Sequence, residues 1–112
     1  YSSAASDVYK RQDMHPFDFD GLEALTAQLK KDNTPVYLTV DLDCLDPSVF
    51  PGTGTPEAGG VTFPQLLTSL LLVSRTNVVG ADINELAPML DTSGASTACA
   101  CKVLREMLLA LY

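Results

Sequence analysis

Apolar residues follow two different rhythms along this chain, and the switches between them mark its elements. Leu22, Leu25 and Leu29 recur at three- and four-residue steps, in a stretch with acids at its front and lysines at its back. Both charge biases suit a helix dipole, so a helix is expected over Phe19–Lys31, closed by Asp32-Asn33-Thr34-Pro35. Val36-Tyr37-Leu38-Thr39-Val40 is then continuously apolar or β-branched, as in a strand buried on both faces. Residues 45–60 hold three prolines and four glycines, too many for any regular element. A long loop is expected there, and long loops inside compact domains are usually functional. Thr62-Phe63-Pro64-Gln65 reads as a capping box with proline in the first turn, opening a buried helix over about 63–74. Asn77 to Glu85 repeats the earlier grammar, a short apolar strand delivering acids at its end, and Pro88 stops it. After the small-residue turn Asp91-Thr92-Ser93-Gly94, a last helix carries Ala98, Val103, Leu104, Met107, Leu108 and Leu111.

Helices alternating with buried strands imply an α/β architecture with a parallel sheet, whose sites lie at the carboxyl ends of the strands. Two strands are too few for a sheet covered on both faces, since sheets average about five or six strands. The chain is therefore expected to be part of a larger α/β domain.

At 112 residues, 46% of them hydrophobic, there is material for one small domain with a modest core. The opening residues 1–15 show neither helical period nor apolar block and read as a non-native or disordered leader, leaving 16–112 as the domain part. The apolar stretch 61–73 is broken by Pro64, Gln65, Thr68 and Ser69, so no membrane span is expected. A net charge of −7 argues against nucleic acid or an anionic membrane as partner and suits a cationic ligand or a metal. Cys44, Cys99 and Cys101 are odd in number and point to a reducing, cytoplasmic setting.

The chemistry concentrates at the strand ends. Asp41 and Asp43 close the first strand, and residues two apart on a strand point the same way, about 6 to 7 Å along it. Two anions delivered together by an apolar strand raise one another's pKa unless a cation or shared proton relieves them. Carboxylate oxygen is the ligand that magnesium, manganese and calcium prefer, so a metal is the simplest account. Glu85 stands alone at the second strand end, where a single carboxylate can hold a guanidinium in a bidentate grip or merely face solvent. Asp82 reads as structural. Asp46, before Pro47, reads as a loop brace. Gly52-Thr53-Gly54-Thr55 lacks the lysine of a phosphate loop and reads as a wall of the site. His15 is the single histidine and reads as a surface residue. Cys99 and Cys101 lie two apart on a helix, cannot share a metal easily, and read as small core fillers.

The stretch Thr39-Val-Asp-Leu-Asp-Cys-Leu-Asp-Pro47, followed by Pro51-Gly52 and Gly59-Gly60, closely resembles the signature of the ureohydrolases, the arginase and agmatinase family. Asp82-Ile-Asn-Glu85-Leu-Ala-Pro88 looks like that family's next block, and Asp91-Thr-Ser-Gly94 with its alanine-rich helix looks like the closing one. The resemblance covers roughly residues 35–112, and Gly52-Thr-Gly-Thr-Pro-Glu57 looks more like the agmatinase branch. It implies a three-layer α/β/α fold with a parallel sheet, present here in part, and a binuclear manganese (Mn2+) site. Asp41 would bridge both metals, Asp43 would bind one, and Glu85 would pair with the substrate guanidinium. The implied reaction is hydrolysis of agmatine to putrescine and urea by a metal-activated water, in a trimeric or hexameric enzyme. The family's Gly-Gly-Asp-His and Asp-Ala-His-x-Asp blocks are absent from these 112 residues, so this chain alone is expected to be inactive. Two rivals stand beside this reading. Asp41-Leu42-Asp43 also resembles the acid pair of haloacid-dehalogenase-type magnesium phosphatases, although Cys44 follows where that family has Gly-Thr. The other rival is a non-catalytic truncated chain.

Overall fold

The computed structural model describes residues 17–112, so the leader expected over 1–15, and His15 with it, lie outside the described residues. Helix α1 (Phe19–Lys31) begins where Asp18 accepts a hydrogen bond from the Gly21 N–H at 2.8 Å, and Lys30 and Lys31 fill its last turn. Its inward line is Leu22, Thr26 and Leu29, whereas Leu25 is 56% exposed and leaves the expected apolar face. Thr26 can replace it because its hydroxyl donates to the carbonyls of Leu22 and Glu23, both at 3.0 Å, and is satisfied when buried.

Strand β1 (Pro35–Asp41) pairs in parallel with β2 (Asn77–Asn84), in a register running from Pro35 opposite Asn77 to Asp41 opposite Asn84. Between them come the turn Leu42–Cys44, the long loop and helix α2 (Phe63–Val73), which makes a βαβ unit as expected. Helix α3 (Ala95–Leu111) follows the short 3₁₀ turn Pro88–Leu90. The capping box of α2 forms in full, Gln65 N–H to Thr62 Oγ1 at 3.3 Å and Thr62 N–H to Gln65 Oε1 at 2.9 Å.

The core gathers Val40, Leu42, Leu45, Phe50, Leu66, Leu70, Ala100, Val103 and Met107, drawn from β1, the loop, α2 and α3. α1 packs on α2, and α2 on α3. The first strand is not buried on both faces. Its residues alternate, Val36, Leu38 and Val40 turning inward while Tyr37, Thr39 and Asp41 remain exposed. The outward face supports itself with side-chain hydrogen bonds: the Asp82 carboxylate accepts from Tyr37 at 3.0 Å, Thr39 at 2.7 Å and Asn84 at 2.5 Å. Among the described residues, no helix is long and apolar enough to cross a membrane.

Candidate functional site

Both strands end at the same edge of the sheet, and that edge collects the acids singled out by the sequence. Asp41 is the last residue of β1, exposed, and lies opposite Asn84, so Glu85 follows one position beyond its cross-strand neighbour. Parallel neighbours sit about 4.8 Å apart, which brings the two strand ends side by side. Asp43 departs from the strand geometry expected of it. The chain turns into a 3₁₀ helix at Leu42–Cys44, because Leu42 is pulled fully into the core and the strand cannot continue past it. Asp41 and Asp43 thus flank a buried leucine on a turn instead of alternating along a strand.

Asp43 is half-buried and held from one side, its Oδ2 accepting the Thr55 hydroxyl at 2.7 Å. Among the described residues the ion pairs are Lys102–Glu106 and Arg105–Glu106 on α3, and neither touches Asp41, Asp43 or Glu85. Cys44 is exposed as a residue, yet partial desolvation of its sulfur, together with the Asp43 and Asp41 carboxylates, pushes its thiol pKa up. Glu85 adopts φ +76°, a left-handed backbone that a non-glycine residue adopts at a cost of about 1 to 2 kcal/mol. Two residues on, the Ala87 N–H donates to the loop at the Gly52 carbonyl.

That loop is a folded object. Asp46 braces it as expected, accepting from the Ser48 N–H at 3.0 Å, the Ser48 hydroxyl and the Gly59 N–H at 2.9 Å, which hold its carboxyl below the usual range. A one-residue parallel bridge between Leu45 and Val61 closes its base. Gly60 must lack a side chain there, since a Cβ would lie 2.5 Å from the Asp46 nitrogen. Phe50 is fully buried and plugs the loop into the core.

A second brace was missed by sequence reasoning. The Ser96 hydroxyl, fully buried at the start of α3, accepts the Gly52 N–H at 2.8 Å and donates to Asp91 at 2.5 Å. Asp91 also accepts the Ser96 N–H at 2.8 Å and both the hydroxyl and N–H of Ser93, and these hydrogen bonds hold its carboxyl well below the usual range. The Gly52 carbonyl in turn accepts the Ala87 N–H at 2.7 Å. The four residues 52–55 therefore grip Asp43 through Thr55 and the Glu85 segment through Ala87. Asp91-Thr-Ser93 carried the signal of an Asx-turn. The Ser96 to Gly52 contact joins residues 44 apart and left no local trace.

The cysteines also divide. Cys99 packs against the core, while Cys101 is exposed and is not a core filler. Residues two apart on a helix are rotated by about 200°, so only one of the pair can face inward.

Among the described residues no ion pair engages this carboxylate edge, and carboxylate oxygen is the donor type a hard divalent ion prefers. Asp41 and Asp43 have the donor chemistry for such an ion, and two carboxylates alone do not make a complete donor set. Among the described residues, no group of three or more His, Cys, Asp or Glu is placed to hold a metal.

A carboxylate-lined edge on a parallel βαβ unit defines an α/β protein with its chemistry at the strand ends. Comparison with known proteins narrows this. The family model for the arginase family matches residues 2–110, and the chain belongs to that family. It is 48% identical over 103 residues to an agmatinase from Bacillus anthracis, an alignment that takes in 89% of this chain and 36% of that protein. A candidate agmatinase from Clostridium difficile superimposes with a TM-score of 0.79 at 39% identity, over 99% of this chain and 41% of that one. Arginase from Bacillus caldovelox superimposes with a TM-score of 0.70 at 30% identity, over 79% and 30%. The chain thus has the arginase-like α/β fold in part, and it spans little more than a third of the relative from Bacillus anthracis. Family membership displaces the phosphatase reading of Asp41 and Asp43.

Proposed function

We propose that this chain contributes to a manganese-dependent hydrolase of a guanidino compound, with agmatine, cleaved to putrescine and urea, as the substrate. In this reading Asp41 and Asp43 are two of the ligands of a binuclear manganese centre, and Glu85 receives the substrate guanidinium. The observation that carries it is the gathering of these acids at one edge of a parallel sheet, with no cation paired to them among the described residues. The match to agmatinases supports the choice of substrate. Bound manganese supplies Lewis acidity for attack of water on the guanidinium carbon.

The residues of this chain do the positioning. Thr55 fixes the orientation of Asp43 by donating its hydroxyl proton to one carboxylate oxygen, which leaves the other oxygen available. Glu85 offers two oxygens to the two N–H groups of a planar guanidinium, the geometry in which such pairs are strongest. The left-handed turn at Glu85 and the Ala87 to Gly52 hydrogen bond set where that carboxylate stands relative to the aspartates. Two carboxylates are fewer ligands than a manganese pair needs, so the isolated chain is inactive in this reading. The complete protein is cytoplasmic and forms a trimer or hexamer.

A chimera tests this directly. The matched 103 residues of the Bacillus anthracis agmatinase are replaced by the corresponding residues of this chain. Manganese content and urea release from agmatine, arginine and guanidinobutyrate are then measured. Asp41→Asn and Asp43→Asn should each lower bound manganese, and Glu85→Gln should raise KM for agmatine while manganese stays bound. Full manganese content and unchanged urea release in both aspartate variants would overturn the assignment.

A further inference from the structure

The paired register of the two strands ends at Asp41 and Asn84, so Asp43 and Glu85 both lie beyond the last residues that the sheet holds in place. Among the described residues, the hydrogen bonds that tie these two segments together run through residues 52–55. Thr55 donates its hydroxyl to Asp43 at 2.7 Å, and the Gly52 carbonyl accepts the Ala87 N–H, two residues past Glu85, at 2.7 Å. Gly52 is held in turn from α3, where its N–H donates to the Ser96 hydroxyl at 2.8 Å. Both backbone groups of one residue are thereby committed, one to the helix and one to the Glu85 segment.

That hydroxyl has a fixed direction. Both oxygens of Asp91 are engaged, one by the N–H and hydroxyl of Ser93 and the other by the N–H and hydroxyl of Ser96. A carboxylate only accepts, so the Ser96 proton points at Asp91 and a lone pair at Gly52. The helix start does not need this hydroxyl, because the Ala95 N–H goes to Ser93 at 3.1 Å and the Ser96 N–H goes to Asp91 at 2.8 Å. It is nevertheless fully buried, and the Gly52 backbone lies so close that a Cβ there would come within 2.6 Å of the Ser96 Cβ. A shift of Ser96 is therefore passed directly to Gly52. The left-handed backbone of Glu85, at φ +76°, is a strained conformation that persists where its surroundings hold it, and this line of hydrogen bonds reaches its segment from the core.

We infer that Ser96 is a positioning residue for the guanidinium site: acting through Gly52, its buried hydroxyl sets the separation between the Glu85 and Asp43 carboxylates. The inference rests on the proposed hydrolysis, in which one acid serves the substrate and the other the metal. Glu85 holds the guanidinium and Asp43 belongs to the side from which water attacks, so their spacing decides whether the guanidinium carbon meets that water. A misplacement of about 1 Å can cost about a hundredfold in rate. Ser96 touches neither substrate nor metal and works only on that spacing.

The test uses the chimera with the Bacillus anthracis agmatinase. Ser96→Ala should raise KM for agmatine and lower kcat/KM about tenfold or more while manganese content stays full. Loss of a merely structural brace would reduce the folded fraction, which lowers apparent kcat and leaves KM where it was. Leu70→Ala, buried on α2 and outside this line of hydrogen bonds, provides that comparison: it should lower the melting temperature with KM unchanged. Amide exchange is followed in the same proteins. Gly52 and Ala87 should be protected in the unsubstituted chimera although neither lies in a helix or strand, and both should exchange faster in Ser96→Ala. An unchanged KM in Ser96→Ala, or a KM raised equally by Leu70→Ala, would overturn the inference while leaving the hydrolase reading in place. Free exchange of Gly52 and Ala87 in the unsubstituted chimera would overturn it without any variant. An unsubstituted chimera that releases no urea would overturn the hydrolase reading, and the inference with it.

Discussion

Thr53 and Thr55 sit two apart in the same loop and face opposite demands. Thr55 is exposed and spends its hydroxyl on Asp43, whereas Thr53 is 2% exposed and its Oγ1 has no hydrogen-bond partner among the described residues. A buried hydroxyl without a partner costs about 1 to 3 kcal/mol, and valine has the same shape without that cost. Thr53→Val should therefore raise stability by about 1 kcal/mol, read as a higher urea midpoint at unchanged slope. Thr55→Val should leave that midpoint nearly unchanged and instead lower manganese affinity in the chimera, with Thr55→Ser restoring it. Glu85 shows the same separation of stability from function. Its left-handed backbone favours glycine, so Glu85→Gly should stabilise the chain by about 1 kcal/mol. In the proposed hydrolase the same substitution abolishes guanidinium binding, and a loss of urea release together with a raised urea midpoint would show both effects in one protein.

At the scale of elements, what the sequence made legible is what short-range physics decides. α1 falls on Phe19–Lys31 because its cap Asp18, first-turn acid and last-turn lysines all lie within or directly beside its own residues. The α2 start is equally local, since Thr62 and Gln65 satisfy one another. Asp43 lies on a 3₁₀ turn and not on the strand its spacing predicts, because its geometry depends on Leu42 finding the core, which no spacing reveals. The start of α3 is the clearest non-local case. Its N-cap is Gly94, with no capping side chain of its own, and the work falls to Asp91, which accepts the Ser96 N–H, and to Ser93, whose hydroxyl accepts the Ala95 N–H. Because Asp91 has its pKa lowered in the folded state, it contributes stability above the unfolded value of about 3.9 and loses it as pH falls towards the lower folded value. Asp46 and Asp82 are lowered in the same direction by their hydroxyl donors, so their contributions vanish in the same window. Urea midpoints should be flat above about pH 5 and drop below about pH 4, and Asp91→Asn should flatten that acid limb. Ser96→Ala should cost about 1 to 3 kcal/mol at neutral pH, since it strands the buried Gly52 N–H. A midpoint unchanged by that substitution would remove the brace between loop and helix from the account.

Among the described residues, the loop that shapes the candidate site also supplies the most deeply buried side chains. Of the side chains with least exposure, Leu42, Leu45 and Phe50 come from the turn and loop after β1, and Val103 comes from the helix that receives them. The helices and strands meanwhile leave Val79, Met89, Leu109 and Tyr112 largely exposed. The loop that borders the candidate site is therefore anchored in the core, unlike the dispensable surface loops that connect most elements. Removing a fully buried phenylalanine costs about 3 to 5 kcal/mol, a large share of the roughly 5 to 15 kcal/mol that stabilises a domain. Phe50→Ala should accordingly abolish cooperative unfolding of the chain as a whole, followed by circular dichroism on heating, and not merely loosen residues 45–60. Leu109→Ala, equal in chemistry but 71% exposed, should leave the transition in place. The coupling also runs the other way. Whatever binds the folded loop edge and not the unfolded chain stabilises the whole by mass action, about 2.7 kcal/mol at a hundredfold excess over Kd. Manganese added to the chimera should thus raise its melting temperature, and Asp43→Asn should shrink that rise while the metal-free melting temperature stays close to that of the unsubstituted protein.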